Sequence, residues 1–234
     1  SDFHTGPYIW WLLAVQILGA VGVYFAIAPF SQELAQGAFI CIFCPTATAA
    51  PVITGMLGGS VSKVDTYPLF SHISVAFLAP ALLSYMEPDA GITFLESTMS
   101  ISVSVLPLII GPLALALLLQ RFSPRVHSGI ANHQGLSFYI WAVALIIVVG
   151  NSVSFLLRQP AEKLPEIIWL GAISLVVCVL LFYTGRKIGG HFGDKVSGAQ
   201  SLGQKNPVLA IWLALTFLNP VVSAAPPAYV AWHN

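Results

Sequence analysis

Apolar residues in this chain gather into long runs, most of them near the ~20 residues that a helix needs to cross a bilayer core. Eight segments follow from that pattern. The first covers 7–30 and is entered through Tyr8, Trp10 and Trp11, like an interfacial aromatic anchor. The second, 34–57, holds no charge but is interrupted by Cys44-Pro45-Thr46-Ala47-Thr48-Ala49-Ala50-Pro51. The third runs from about 66 to 86, and the fourth, 99–120, carries Pro107 and Pro112. The fifth is 136–157 and the sixth 167–184. A seventh, 194–218, is polar through Asn206 and apolar afterwards. The eighth, 220–234, is too short to span, so the chain is expected to end inside the membrane.

The interrupted segments, second and seventh, are each the middle of a group of three. The two groups start five spans apart, an odd number, and so enter the membrane from opposite sides. That is the topology of an inverted repeat, and broken helices at matching positions of two inverted halves point to a transporter's binding site. The reason is physical. Backbone N–H and C=O groups freed by a break cannot face lipid, so they must meet protein or a polar cavity.

Composition narrows the class. Of 234 residues, 57% are hydrophobic and 8% charged, against roughly 25% charged in an average soluble domain. This excludes an ordinary soluble globule, a disordered chain and a nucleic-acid binder working through a basic face. Nine Lys+Arg balance nine Asp+Glu, so position matters more than net charge. With the N-terminus on side A, that side collects Lys63, Arg121, Arg125, Arg186, Lys187 and Lys195, while side B receives Arg158 and Lys163. The excess places side A, and the N-terminus of this chain, in the cytoplasm. The first apolar run is too long for a signal peptide, and a start at Ser1 hints at trimming.

Lys205, the ninth cation, lies in no loop. About twelve apolar residues follow it, roughly 18 Å of helix, which puts it well below the far interface. Ionisable residues at such depth usually mark a pathway or a site, although long Lys side chains also snorkel outward. Pro45 and Pro51 remove two backbone donors from the second segment, near the hydroxyls of Thr46, Thr48 and Thr54. Those hydroxyls either face the break or bond back to their own helix. His72 reads as a packing residue. Gln16 and Asn151 are either interhelical glue or cavity-facing. Cys41, Cys44 and Cys178 read as small buried apolar residues, since no second pair or His cluster completes a zinc site. No H-E-x-x-H, phosphate loop or G-x-S-x-G is present, so no enzyme is expected.

At three motifs the chain resembles the bile acid:sodium symporter family of secondary transporters. Cys44-Pro45-Thr46-Ala47-Thr48-Ala49 stands where that family shows C-P-G-G-T-A-S-N, and Gly203-Gln204-Lys205-Asn206 where it shows E-x-G-x-Q-N. The third is the closing Trp232-His233-Asn234. The likeness is greatest to a bacterial branch carrying C-P-T-A-T-A-A-P-V-I-T-G and S-L-G-Q-K-N. The resemblance implies two five-helix inverted repeats whose fourth and ninth helices are broken and cross. The eight segments then correspond to helices three to ten, with the chain truncated at both ends. It also implies a core domain, here 1–86 and 161–234, that moves against a panel domain, of which 87–160 is a helix pair.

Carried over by position, the resemblance implies that Thr48, Asn206 and His233 face substrate, with Asn234 a weaker fourth. Gln16 looks like a glutamine that helps hold sodium, and Thr46, Ser201, Gln204 and Lys205 fall at coupling or ion-site positions. Pro45, Pro51, Gly203 and Pro207 would be the hinges of the broken helices. Several oxygen ligands are gone: a Ser-Asn pair is Ala50-Pro51 here, a shared Glu is Ser201, and a Gln is Lys205.

The expectation is an all-α polytopic membrane protein of the bacterial inner membrane, with an inverted-repeat transporter fold and two broken, crossing helices. It would move a small or amphipathic organic anion by alternating access. Na+ or H+ would be the coupling ion, with sodium possible only near Gln16 and no other metal or cofactor. The bilayer and the anion are its partners, nucleic acid is not, and the oligomeric state stays open. The alternatives are a membrane sensor reusing a transporter fold and an intramembrane enzyme.

Overall fold

The computed structural model describes residues 6–47, 49–88, 93–131 and 134–233. Over these the chain is helical, and the only β-type pairing is an isolated antiparallel bridge between Thr46 and Lys205. The helices are α1 (Pro7–Ile27), α2 (Gln32–Phe43), α3 (Ala50–Met56), α4 (Val61–Met86), α5 (Phe94–Phe122) and α6 (Pro124–Ala131). They continue with α7 (Gln134–Leu157), α8 (Leu164–His191), α9 (Lys195–Gly203), α10 (Pro207–Phe217) and α11 (Ala225–His233). Four helical runs among the described residues are long and apolar enough to cross a membrane: α1, α4, α5 and Ala161–His191, which contains α8. The protein is an all-α polytopic membrane protein.

Local chemistry explains the boundaries. Ser31 caps α2 by accepting from the Leu34 N–H, and Asp194 caps α9 by accepting from the Ser197 N–H. A full capping box, Thr93 with Glu96, starts α5 at Phe94, five residues before the apolar run begins. Likewise α4 begins at Val61, ahead of the expected 66, because the polar turn Ser62–Lys63 joins the helix before the apolar residues do. Pro107 and Pro112 do not break α5, and α6 is a short helix the hydropathy pattern did not separate. The eighth segment opens as a 3-10 turn over Pro220–Ala224 before the nine-residue α11.

Two clusters fix the ends. At one end, Asp194 and Ser197 receive the backbone N–H of Ser60 (2.9 Å each), and Ser197 Oγ donates to Ser60 O (3.1 Å). Lys63 Nζ donates to Phe192 O there, and the Tyr8 and Phe192 rings meet edge-on. At the other end, Gln32 donates to Tyr24 and to Met86 O, and Gln36 donates to Glu87. The starts of α1 and α4 therefore share an end with the turn between α8 and α9. The basic residues Lys63, Arg186, Lys187 and Lys195 gather at that same end.

The tightest packing lies between α8 and α9. A Cβ on Gly185 would stand 2.3 Å from Gly198 O, and one on Gly198 would stand 2.2 Å from Gly185 O. Small residues let two membrane helices approach backbone to backbone, where dispersion rather than solvent exclusion holds them. Gly198→Ala is expected to destabilise the detergent-solubilised protein by about 2 kcal/mol, while Gly22→Ala, where a Cβ meets nothing within 4 Å, should be silent. Thermal unfolding of both variants checks this; equal midpoints would contradict the packing.

Candidate functional site

Both broken segments stop for the same reason. After Phe43 the chain meets Cys44-Pro45, and after Gly203 it meets Gln204-Lys205-Asn206-Pro207; a proline can open a helix but not continue one. Pro207 sits in the first turn of α10 and Pro51 in the first turn of α3. The two extended stretches run antiparallel against each other: Ala47 N–H donates to Gln204 O (3.0 Å) and Asn206 N–H to Pro45 O (2.8 Å). The broken helices thus cross at their breaks.

The remaining freed groups are met by side chains from elsewhere. Gln16 Nε2, on α1, donates to Phe43 O (2.7 Å) and Cys44 O (3.2 Å), the carbonyls at the end of α2. Gln16 Oε1 in turn accepts from Tyr67 and Ser71 of α4. At the end of α9, Thr46 Oγ1 donates to Ser201 O (2.6 Å) and Tyr229 OH, on α11, to Gly203 O (2.6 Å). Ser201 Oγ lies 3.2 Å from Tyr8 OH. Gln16, Thr46, Ser201, Gln204 and Lys205 are all buried.

Lys205 differs from its neighbours. Its side chain is 2% exposed, and Nζ has no hydrogen-bond partner. It lines a small, partly open cavity of about 10 Å³, room for about one water, with Cys41, Cys44, Pro207, Ala210, Pro226 and Tyr229. Among the described residues no carboxylate lines that cavity, and the titratable groups that line it beside the lysine are two thiols and the Tyr229 phenol. The side chain therefore stays at the crossing and does not reach for an interface.

The other sequence-derived candidates fall as follows. Asn206 caps α10, its Oδ1 accepting from Leu209 N–H (3.2 Å). His233 Nδ1 lies 3.0 Å from Tyr229 O of its own helix, and its Nε2 is buried without a partner. Gly203 ends α9 against the Phe182 ring, where a Cβ would come within 2.6 Å. Thr48 and Asn234 lie outside the described residues. Thr54 bonds back to Ala50 O of its own helix, and His72 Nδ1 lies 2.7 Å from Pro68 O. Sequence reading missed Tyr67, Ser71 and Tyr229. Tyr67 and Ser71, four apart on one face of α4, carried a weak signal; Tyr229 carried none. It also passed over Cys41 and Cys44 as packing, yet both border the Lys205 cavity.

No family model matches the chain. It is 25% identical over 202 residues, 83% of its length, to a probable sodium/metabolite cotransporter of the chloroplast from Oryza sativa subsp. japonica. The chain spans about half the length of that relative, 47%. The likeness is coarse: it is to a transporter and not to an enzyme, and it suggests the family that the three motifs resemble.

Gln16→Leu should be strongly destabilising, because it strands two carbonyls and the Ser71 hydroxyl in the interior and leaves Tyr67 only its long contact to Leu12 O (3.5 Å). At 1–3 kcal/mol per orphaned group, a loss of about 3 kcal/mol is expected even after relaxation. Melting in detergent measures it, beside Asn151→Leu on an exposed position of α7 as the neutral control. A Gln16→Leu midpoint within error of wild type would contradict the capping role.

Proposed function

We propose that the chain forms the transport core of a secondary active transporter that moves a small or amphipathic organic anion by alternating access. The observation that carries this is a buried, unpartnered ammonium at the point where two broken helices cross. Such a charge serves no packing purpose, and its natural complement is an anion. Breaks of this kind line ion and substrate sites in transporters built from inverted repeats. The distant likeness to a sodium/metabolite cotransporter supports the same reading.

In this reading residues 1–86 and 161–234 are inverted halves of a core, and 87–160 belongs to the panel it moves against. Thr48, Asn206, His233 and Asn234 meet the substrate. The N-terminus lies in the cytoplasm of a bacterial inner membrane, where the excess of loop cations belongs. Lys205 takes the place of a bound cation. Gln16 favours this, since its one carbonyl oxygen already accepts two hydroxyls and its amide nitrogen faces the carbonyls a cation would seek.

Uptake into proteoliposomes tests the reading, with radiolabelled pyruvate, cholate and taurocholate as probes. At least one should be taken up, at equal rates with sodium or choline as the external cation. Asn206→Ala and His233→Ala should each slow that uptake about tenfold. Failure of all three probes would overturn it, and strict dependence on sodium would overturn the placing of Lys205 as the substitute for a bound cation.

A further inference from the structure

The groups facing Lys205 have one property in common: none holds a fixed negative charge in its ordinary form. From α2 come the thiols of Cys41 and Cys44, from α11 the phenol of Tyr229, and from α10 only Pro207 and Ala210. Cys178 of α8 stands behind, close to Tyr229, and His233 lies one turn further along α11, its ring 5.3 Å from that of Tyr229. The Tyr229 hydroxyl donates its proton to Gly203 O. An ammonium enclosed here has no ion pair and no hydrogen bond, and burying a charge in that condition is among the most costly things a protein can do. A carboxylate among these neighbours would have neutralised the lysine permanently. Its absence from the cavity leaves the charge to be balanced by something that comes and goes.

We propose that Lys205 is the coupling group of an electroneutral proton–anion symporter, carrying one proton across for each monovalent anion. This rests on the transporter reading. In the loaded carrier the ammonium and the anionic group of the substrate form a pair with no net charge, and that pair is what becomes occluded. In the empty carrier Nζ gives its proton to water on the receiving side, and the site closes around a neutral amine. Nζ gains one proton from water on the side where the anion binds and loses one where the anion leaves. No other bond changes. Sodium is replaced by a proton held covalently on the chain, in keeping with the departures from the resembled family's pattern at Ala50, Pro51 and Ser201.

The scheme separates two movements. Exchange of anion for anion needs only the loaded carrier, whereas net uptake also needs the empty one to return. Arginine keeps its proton under all protein conditions, so it can form the loaded pair but cannot return empty. In proteoliposomes with the labelled probe that wild type exchanges, Lys205→Arg should retain exchange within about threefold and lose net uptake at least tenfold. Lys205→Met, with an apolar side chain of similar length that needs no partner, should stay folded by thermal unfolding and lose exchange as well, at least tenfold. Wild-type uptake should accumulate the probe about tenfold further per pH unit that the outside is more acidic than the inside, and ignore a valinomycin-imposed potential. Net uptake by Lys205→Arg at the wild-type rate, unchanged exchange in Lys205→Met, or wild-type uptake that follows potential and not pH would each overturn proton coupling while leaving the transporter intact. Absence of exchange by wild type with every probe would overturn the transporter reading and the coupling with it.

Discussion

Polar backbone groups cannot be left bare where no water reaches them, and this single requirement organises the centre of the molecule. Two helices are interrupted by proline, each interruption frees carbonyls and N–H groups, and the two sets satisfy each other only if the breaks are brought together. Ala47 to Gln204 and Asn206 to Pro45 do so directly. Gln16 and Tyr229 complete the pairing from two other places in the chain, and Thr46 from within the break. The relative placement of α1, α4 and α11 around the crossing follows from where those side chains must reach.

The same pairing explains why Lys205 stands out. Around it, Phe43, Cys44, Pro45, Ser201, Gly203 and Gln204 each direct their carbonyls at other donors, and Lys205 Nζ makes no hydrogen bond. Around this centre the rest is fitted closely. The glycine contact of α8 with α9 fixes one half-helix, and the Ser60–Asp194–Ser197 cluster ties its entry to the turn before α4.

The breaks themselves were legible in the sequence, because Pro45, Pro51 and Pro207 act locally and their effect does not depend on the rest of the fold. Lys205 was legible too, since a cation so far into an apolar segment is conspicuous by position alone. The partners were not. Nothing about Gln16 in a run of apolar residues says that it caps a helix 27 residues away, and Tyr229 looks like any interfacial aromatic. The significance of Cys41 and Cys44 lies in what they lack, a charge, and that has meaning only once Lys205 is placed beside them. Helix α6 escaped because its amphipathic turn has no net apolar run to mark it.

The crossing is best tested by a disulfide. With the three native cysteines replaced by alanine, Thr46→Cys and Lys205→Cys place two thiols on the residues that form the antiparallel bridge, whose Cα separation suits a disulfide. Oxidation of the protein in membranes, followed by mass spectrometry of its proteolytic fragments, should recover one peptide joined through positions 46 and 205. A control pair, Ala35→Cys with Lys205→Cys, should give none, since α2 holds Ala35 more than two turns from its break. Failure of the 46–205 pair to join under conditions where both thiols alkylate freely would mean that the breaks do not meet.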